Sequence, residues 1–176
     1  MRLKPAKVVN ILLFLLLTIS TASFIYLSFF DDFFSKNDSH QATHSKSLMI
    51  TPLEGDVFDL QAISSKVIVV NFWATWCGPC LIEIPALMAL QDTYAKEDLQ
   101  IIGISLDDSE SIVQRFLQKQ SFNYPISMHS YNLQKKFGTI QSIPTTFVLD
   151  QDLTILKKLQ GYHSKQTLES IIISLL

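Results

Sequence analysis

The sequence predicts an α/β domain built on a central mixed sheet flanked by helices, preceded by one apolar membrane helix. Three observations carry that prediction. A β-branched run, Val67–Val70, leads into Trp73 and is followed at once by Leu81, Ile84, Leu87, Met88 and Leu90 at helical spacing. A second buried run, Gln100–Leu106, is again followed by a helical pattern, and this alternation is the signature of parallel strands with helical crossovers. Finally, Thr145–Leu149 and Thr154–Gln160 flank the turn signal Asp150-Gln151-Asp152, which reads as an antiparallel hairpin.

Taken in order, residues 1–7 hold Arg2, Lys4 and Lys7, and residues 8–30 contain no charge and are long enough to cross a bilayer core of about 30 Å. Asp31 and Asp32 follow. The positive flank predicts a cytoplasmic N-terminus and an external remainder. A cleaved signal peptide is the rival reading, since Thr21-Ala22-Ser23 supplies small residues. The apolar run continues to Phe30, beyond a usual signal core, so an uncleaved signal-anchor is favoured. Residues 31–47 are polar and aperiodic and read as a tether. His40 and His44 within it could share a helical face and bind metal, but are read as solvated linker histidines.

Residues 48–176 form the expected folded domain. Leu48–Leu60 breaks at Pro52 and Gly55, predicting two short strands and a turn. Val67–Trp73 is a central strand buried on both faces. A helix runs from about Cys77 to Lys96 with Pro85 inside it, where a kink is expected. Gln100–Leu106 is the next strand. Asp107–Gln120 then shows Ile112, Val113, Phe116 and Leu117 at helical spacing, with Asp108 or Ser109 as N-cap. Tyr124–Met128 is a short strand and Tyr131–Phe137 a short helix stopped by Gly138. After the hairpin, Ser164 caps a final amphipathic helix reaching Leu176.

Composition narrows the function. Hydrophobic residues make up 48% of the 176 residues, an excess that residues 8–30 explain. From Leu48 onward nine Lys and Arg face thirteen Asp and Glu, so there is no basic footprint for nucleic acid. A domain of this length encloses a core without cross-links, which leaves the two cysteines of the chain, Cys77 and Cys80, free for chemistry.

Those cysteines stand at the junction of strand and helix, separated by Gly78 and Pro79. A thiol there meets backbone N–H groups that have no intrahelical partner, at the positive end of the helix dipole. Both features favour the thiolate, and CxxC sites lower the first cysteine from about 8.5 to roughly 3.5–7.5. Gly78 permits close backbone approach, and Pro79 suits a first helical turn. A structural disulfide closing so short a loop would constrain the unfolded chain little. A zinc site would need two more ligands, and among His40, His44, His129 and His163 no paired finger-like spacing falls in the folded region. Reversible dithiol–disulfide chemistry is therefore expected, with Cys77 as nucleophile and Cys80 as resolving thiol and with neither metal nor cofactor. Trp73 is read as core packing beneath the site, and Trp76 as a cover for the thiol that offers apolar surface to a partner.

The segment Asn71–Cys80, NFWATWCGPC, resembles the thioredoxin-family active site. From Leu48 to Leu176 the chain is similar to the membrane-anchored, extracytoplasmic TlpA/ResA-like thiol-disulfide oxidoreductases. The resemblance implies a thioredoxin-like fold with an N-terminal hairpin and a central insertion, the latter matched to 100–128. It implies a cis proline at Pro144 that faces the cysteines, with Ile143, Pro144 and Thr145 as the substrate-binding segment where a peptide adds as a strand. Glu83 matches the acid of the ResA-like pattern, a base for the Cys80 proton; the plain alternative is a helix-surface glutamate favoured by the dipole. Asn71 stands where thioredoxins carry a buried Asp and cannot itself take a proton.

Gly-Pro between the cysteines and Ile before Pro144 are thioredoxin-like and favour a reductant over an oxidase; the two lie near about −270 and −120 mV. Such a protein outside the bacterial cytoplasmic membrane needs a membrane thiol-electron transporter, and the resemblance implies one of DsbD/CcdA type. Apocytochrome c cysteines, or other exported disulfides, are the expected substrates, although Pro144-Thr145-Thr146 lacks the Pro-Glu-Thr of dedicated cytochrome-maturation members. The competing readings are a thiol oxidase or isomerase using the same site, a peroxiredoxin-like peroxidase, and a non-enzymatic tethered binding module. The peroxidase reading lacks the Thr-x-x-Cys motif, and the intact cysteine pair argues against the binding module.

Overall fold

A computed structural model describes residues 47–95 and 98–176, which include a compact unit, Ser47–Leu176. The expected membrane anchor at 8–30 and the tether at 31–47, save its last residue, lie outside the described residues. Among the described residues no helix is long and apolar enough to cross a membrane.

Strand β3, Val67–Trp73, organises the domain. All seven of its residues are buried. It pairs in parallel with β4, Leu99–Ser105, and antiparallel with β6, Thr145–Asp150. The short β5, Ile126–Met128, lies outside β4, and β7, Ile155–Gln160, lies outside β6, giving the order β5-β4-β3-β6-β7. A separate two-stranded ribbon, β1 (Met49–Ile50) with β2 (Phe58–Asp59), is the hairpin expected near the start, and a 3-10 turn at Leu60–Ala62 that the sequence did not suggest follows it.

The side chains of β3 alternate between two hydrophobic clusters. Val67, Val69 and Trp73 join the cluster formed with helix α1 (Gly78–Tyr94), helix α2 (Glu110–Leu117) and helix α4 (Lys165–Ile173). Ile68, Val70 and Phe72 join the other, with the N-terminal ribbon and helix α3 (Tyr131–Phe137). Period-2 alternation with apolar residues in both phases is what a strand covered on both faces requires. Phe72, Phe137 and Phe147 meet edge-on or tilted at 4.9–5.7 Å on the second face, while Trp73 packs on Phe116 and Phe122 on the first.

Two details shape β4. Gly103 has no side chain because a Cβ there would stand 2.5 Å from Ile126 Cδ1 and 3.2 Å from Trp73 Nε1. Because β5 begins opposite Gly103, the earlier residues of β4 have no neighbouring strand on that side. Gln91 of α1 fills part of the gap, accepting from the Ile101 N–H at 2.6 Å and donating to the Leu99 carbonyl at 3.3 Å.

Several expectations are refined. Helix α1 begins at Gly78 with Cys77 as its N-cap and continues through Pro85. The helix expected over 109–120 covers Glu110–Leu117, and the strand expected from Tyr124 starts at Ile126. The final helix ends at Ile173, short of the expected Leu176. The stretch 100–128 is not one peripheral insertion: β4 is an interior strand, and only α2 with β5 extends the sheet at its edge. The reason is local, since β4 pairs along its whole length with β3 and all of its residues but Gln100 are buried.

Candidate active site

Cys77 and Cys80 form a disulfide, with Cα atoms 5.2 Å apart. One turn of helix supplies that separation. Cys77 is the N-cap of α1, and its sulfur accepts from the Cys80 N–H at 3.2 Å, one of the donors a helix start leaves unsatisfied. The Cys77 sulfur thus already sits in an N–H-rich, dipole-favoured place where negative charge on sulfur is stabilised. Gly78 and Pro79 are exposed beside it. Both are buried, Cys77 at 5% exposed and Cys80 at 1%, so Cys77 is the less covered of the two.

The loop before Cys77 is held by a residue the sequence reading had placed at the start of a helix. Asp107 lies two residues past the end of β4 and is buried; its carboxylate accepts from the Thr75 N–H at 3.0 Å, the Thr75 hydroxyl at 2.7 Å and the Ser105 hydroxyl at 2.8 Å. A carboxylate at the carboxyl end of a buried strand was the available signal, because in open α/β sheets that end gathers functional groups. Trp76, next in the loop, is 70% exposed and presents its ring to solvent. Trp73 is buried in the core beneath.

Parity then assembles the polar centre. Asn71 shares a phase with Val69 and Trp73, so it faces α1, and its register partner on β6 is Thr146. Glu83 lies one turn past Cys80 on α1 and is 1% exposed, which removes the reading of an ordinary surface acid. Asn71 Nδ2 donates to Glu83 Oε2 at 3.1 Å and to Thr146 Oγ1 at 2.9 Å. The other oxygen, Oε1, accepts the main-chain N–H of His163 at 2.9 Å. Burial pushes the Glu83 carboxyl above the ordinary glutamate range, while the His163 N–H, the His163 charge and the Asn71 amide each pull it back. The outcome is a buried carboxyl one helical turn from Cys80, where residues three apart are neighbours.

Pro144 follows Ile143 through a cis peptide bond, and it stands at the start of β6, level with the carboxyl end of β3. Ile143 packs against the cluster that holds both cysteines. Thr145 is buried, its hydroxyl donating to the Ser142 carbonyl at 2.7 Å. Gly161 at the end of β7 donates its N–H to the Pro144 carbonyl at 2.8 Å, so the segment carrying His163 is tied both to the cis proline and to Glu83. Thr146 and His163 were missed from sequence. Their contacts with Asn71 and Glu83 span 75 and 80 residues, and no local pattern announces them.

Comparison with known proteins agrees with this geometry. Residues 21–172 match the Redoxin family. Among curated relatives, the thiol-disulfide oxidoreductase ResA of Bacillus cereus is 27% identical over 165 residues, covering 93% of this chain and 92% of that protein. ResA of Geobacillus thermodenitrificans is 26% identical over 175 residues, covering 97% and 99%. A solved thiol:disulfide interchange protein of the thioredoxin family from Chlorobium tepidum is 30% identical, with a TM-score of 0.67 over 73% of this chain and 92% of that one. StoA of Bacillus subtilis, at 23% identity, shares the fold with a TM-score of 0.61, covering 69% and 92%. The fold is therefore thioredoxin-like, its curated relatives are named thiol-disulfide oxidoreductases, and this chain, matched over most of its length, belongs to the Redoxin family.

Proposed function

We propose that this chain is a membrane-tethered, extracytoplasmic thiol-disulfide oxidoreductase that reduces disulfides in exported proteins. The observation that carries the reading is the Cys77–Cys80 disulfide at the start of α1, with Glu83 buried one turn behind it and Ile143, the residue before the cis proline, packed against the cluster that holds both cysteines. In the reduced protein the Cys77 thiolate attacks a substrate disulfide. A mixed disulfide forms and one substrate sulfur leaves as thiolate. Cys80 passes its proton to the Glu83 carboxylate and attacks the Cys77 sulfur, breaking the mixed disulfide and releasing the second substrate thiolate. Two electrons have then moved to the substrate, and Cys77–Cys80 is the disulfide described above. Ile143, Pro144 and Thr145 hold the substrate backbone as an added strand, and the exposed Trp76 offers apolar contact.

The reductive direction rests on the Gly-Pro pair and on Ile143 before the proline. The external location rests on the charge-flanked apolar run at 8–30. Re-reduction outside the membrane needs a thiol-electron carrier within it, and the resemblance supports one of DsbD/CcdA type. Apocytochrome c cysteines are one substrate class that fits.

The test uses full-length protein in detergent. Cys80→Ser should accumulate mixed disulfides through Cys77 with a protein substrate such as insulin, and Cys77→Ser should accumulate few. Equal trapping by the two variants would overturn the division of roles, and no trapping together with no insulin reduction by the wild type would overturn the activity.

A further inference from the structure

We propose that His163 is a positioning residue for the exchange reaction: its main-chain N–H fixes one oxygen of Glu83, and its imidazole tunes how readily that carboxylate holds the Cys80 proton. The inference rests on the oxidoreductase reading above.

The geometry is specific. Glu83 Oε1 accepts the His163 N–H at 2.9 Å, so the imidazole hangs from the residue that touches the carboxylate. The ring folds back, its Nδ1 lying 2.9 Å from the Gly161 carbonyl. A carbonyl only accepts, so it is Nδ1 that carries a hydrogen toward Gly161. Gly161 is itself tied to the Pro144 carbonyl, which holds the ring's anchor at the cis-proline loop. His163 is half-buried, so its charge is only partly screened. Histidine is the side chain that changes charge between about pH 5 and 8.

Among the described residues few other charges compete around Glu83. Asn71 of β3 and Thr146 of β6 do not ionise in this range. On α1 the titratable neighbours are the two cysteines when reduced. From the β5 side comes Tyr124, whose phenol burial and the Glu83 charge both keep protonated. On α4, Glu169 accepts from Tyr94 at 2.9 Å, and Lys165 is exposed. With His163 protonated, Glu83 is favoured as carboxylate and ready to accept. With His163 neutral that support is gone, and the proton is held more firmly.

The experiment compares wild type, His163→Asn and His163→Ala, all full length in detergent and oxidised. Both variants keep the main-chain N–H, and asparagine also keeps a side-chain donor for Gly161. The Glu83 carboxyl is titrated by carbon-13 NMR after selective labelling, assigned by its loss in Glu83→Gln. Loss of the opposite charge should move the Glu83 midpoint upward in both variants by about half a pH unit, roughly a threefold change in ionised fraction on that limb. The acid limb of reaction of the reduced proteins with an aromatic disulfide should move with it. An unmoved midpoint in both variants would overturn the inference. So would a move in His163→Ala alone, since that would mark His163 as a loop-holding residue. The titration reads Glu83 directly, so it decides the matter even if the wild type were to lack exchange activity, a result that would sink the oxidoreductase reading separately.

Discussion

Replacing Asn71 with Leu tests the polar centre most directly, because the two side chains are close in shape and differ in the donor. Asn71 is 2% exposed and donates to Glu83 Oε2 and Thr146 Oγ1. A hydrogen bond to a charged group contributes about 1.5–3 kcal/mol and a neutral one about 0.5–1.5 kcal/mol. Asn71→Leu should therefore cost about 2–4 kcal/mol while Glu83 is ionised. The sign of the pH dependence follows from Glu83, whose proton affinity in the fold is raised above the ordinary value of 4.5. A carboxyl raised in this way favours the folded state fully below the ordinary value, and that contribution is lost as pH climbs through the raised one. Removing a donor raises Glu83 further, so the variant should be penalised more at pH 7.5 than at pH 4, where about 1–2 kcal/mol remains. Urea unfolding of residues 47–176 at the two pH values measures both quantities. A loss below about 1 kcal/mol at pH 7.5, or equal losses at both pH values, would refute the reasoning.

Two further outcomes are expected. Asp107→Ala removes the acceptor for both Thr75 donors, and should cost about 2–3 kcal/mol and slow exchange several-fold by releasing the loop that carries Trp76 and Cys77; a wild-type exchange rate by a colorimetric disulfide assay would limit Asp107 to stability. The full chain should fractionate with membranes, resist high-salt extraction and yield a protease fragment beginning within 31–47, whereas recovery of soluble protein starting near Ser23 or Phe24 would show a cleaved signal.

What could be read from sequence was what is encoded locally. The bounds of β3 were legible because six of its seven residues are apolar, and the end of α3 because Gly138 stops it. The hairpin of β6 and β7 was legible from Asp150-Gln151-Asp152, where Asp150 accepts from the N–H groups of Asp152 and Thr154. The cysteines and the cis proline were found through a dense motif and a resemblance. What stayed hidden was long-range. Asp107 reads locally as a helix opener, and only the fold brings Thr75 to it across 32 residues. His163 reaches Glu83 by a main-chain N–H, a group every residue except proline owns, so no residue type betrays it. The interior place of β4 depended on pairing, which a single strand pattern does not reveal.

The alternation along β3 binds the history of the site to that of the core. A one-residue insertion or deletion within the strand would turn Asn71 toward Phe137 and Phe147 and send Phe72 toward Glu83. The chemistry and the packing would fail together. Descendants of this chain can lengthen loops, trade apolar residues or recut the edge at β5, but the seven residues before Ala74 can change only by substitution, with their number and phase inherited intact.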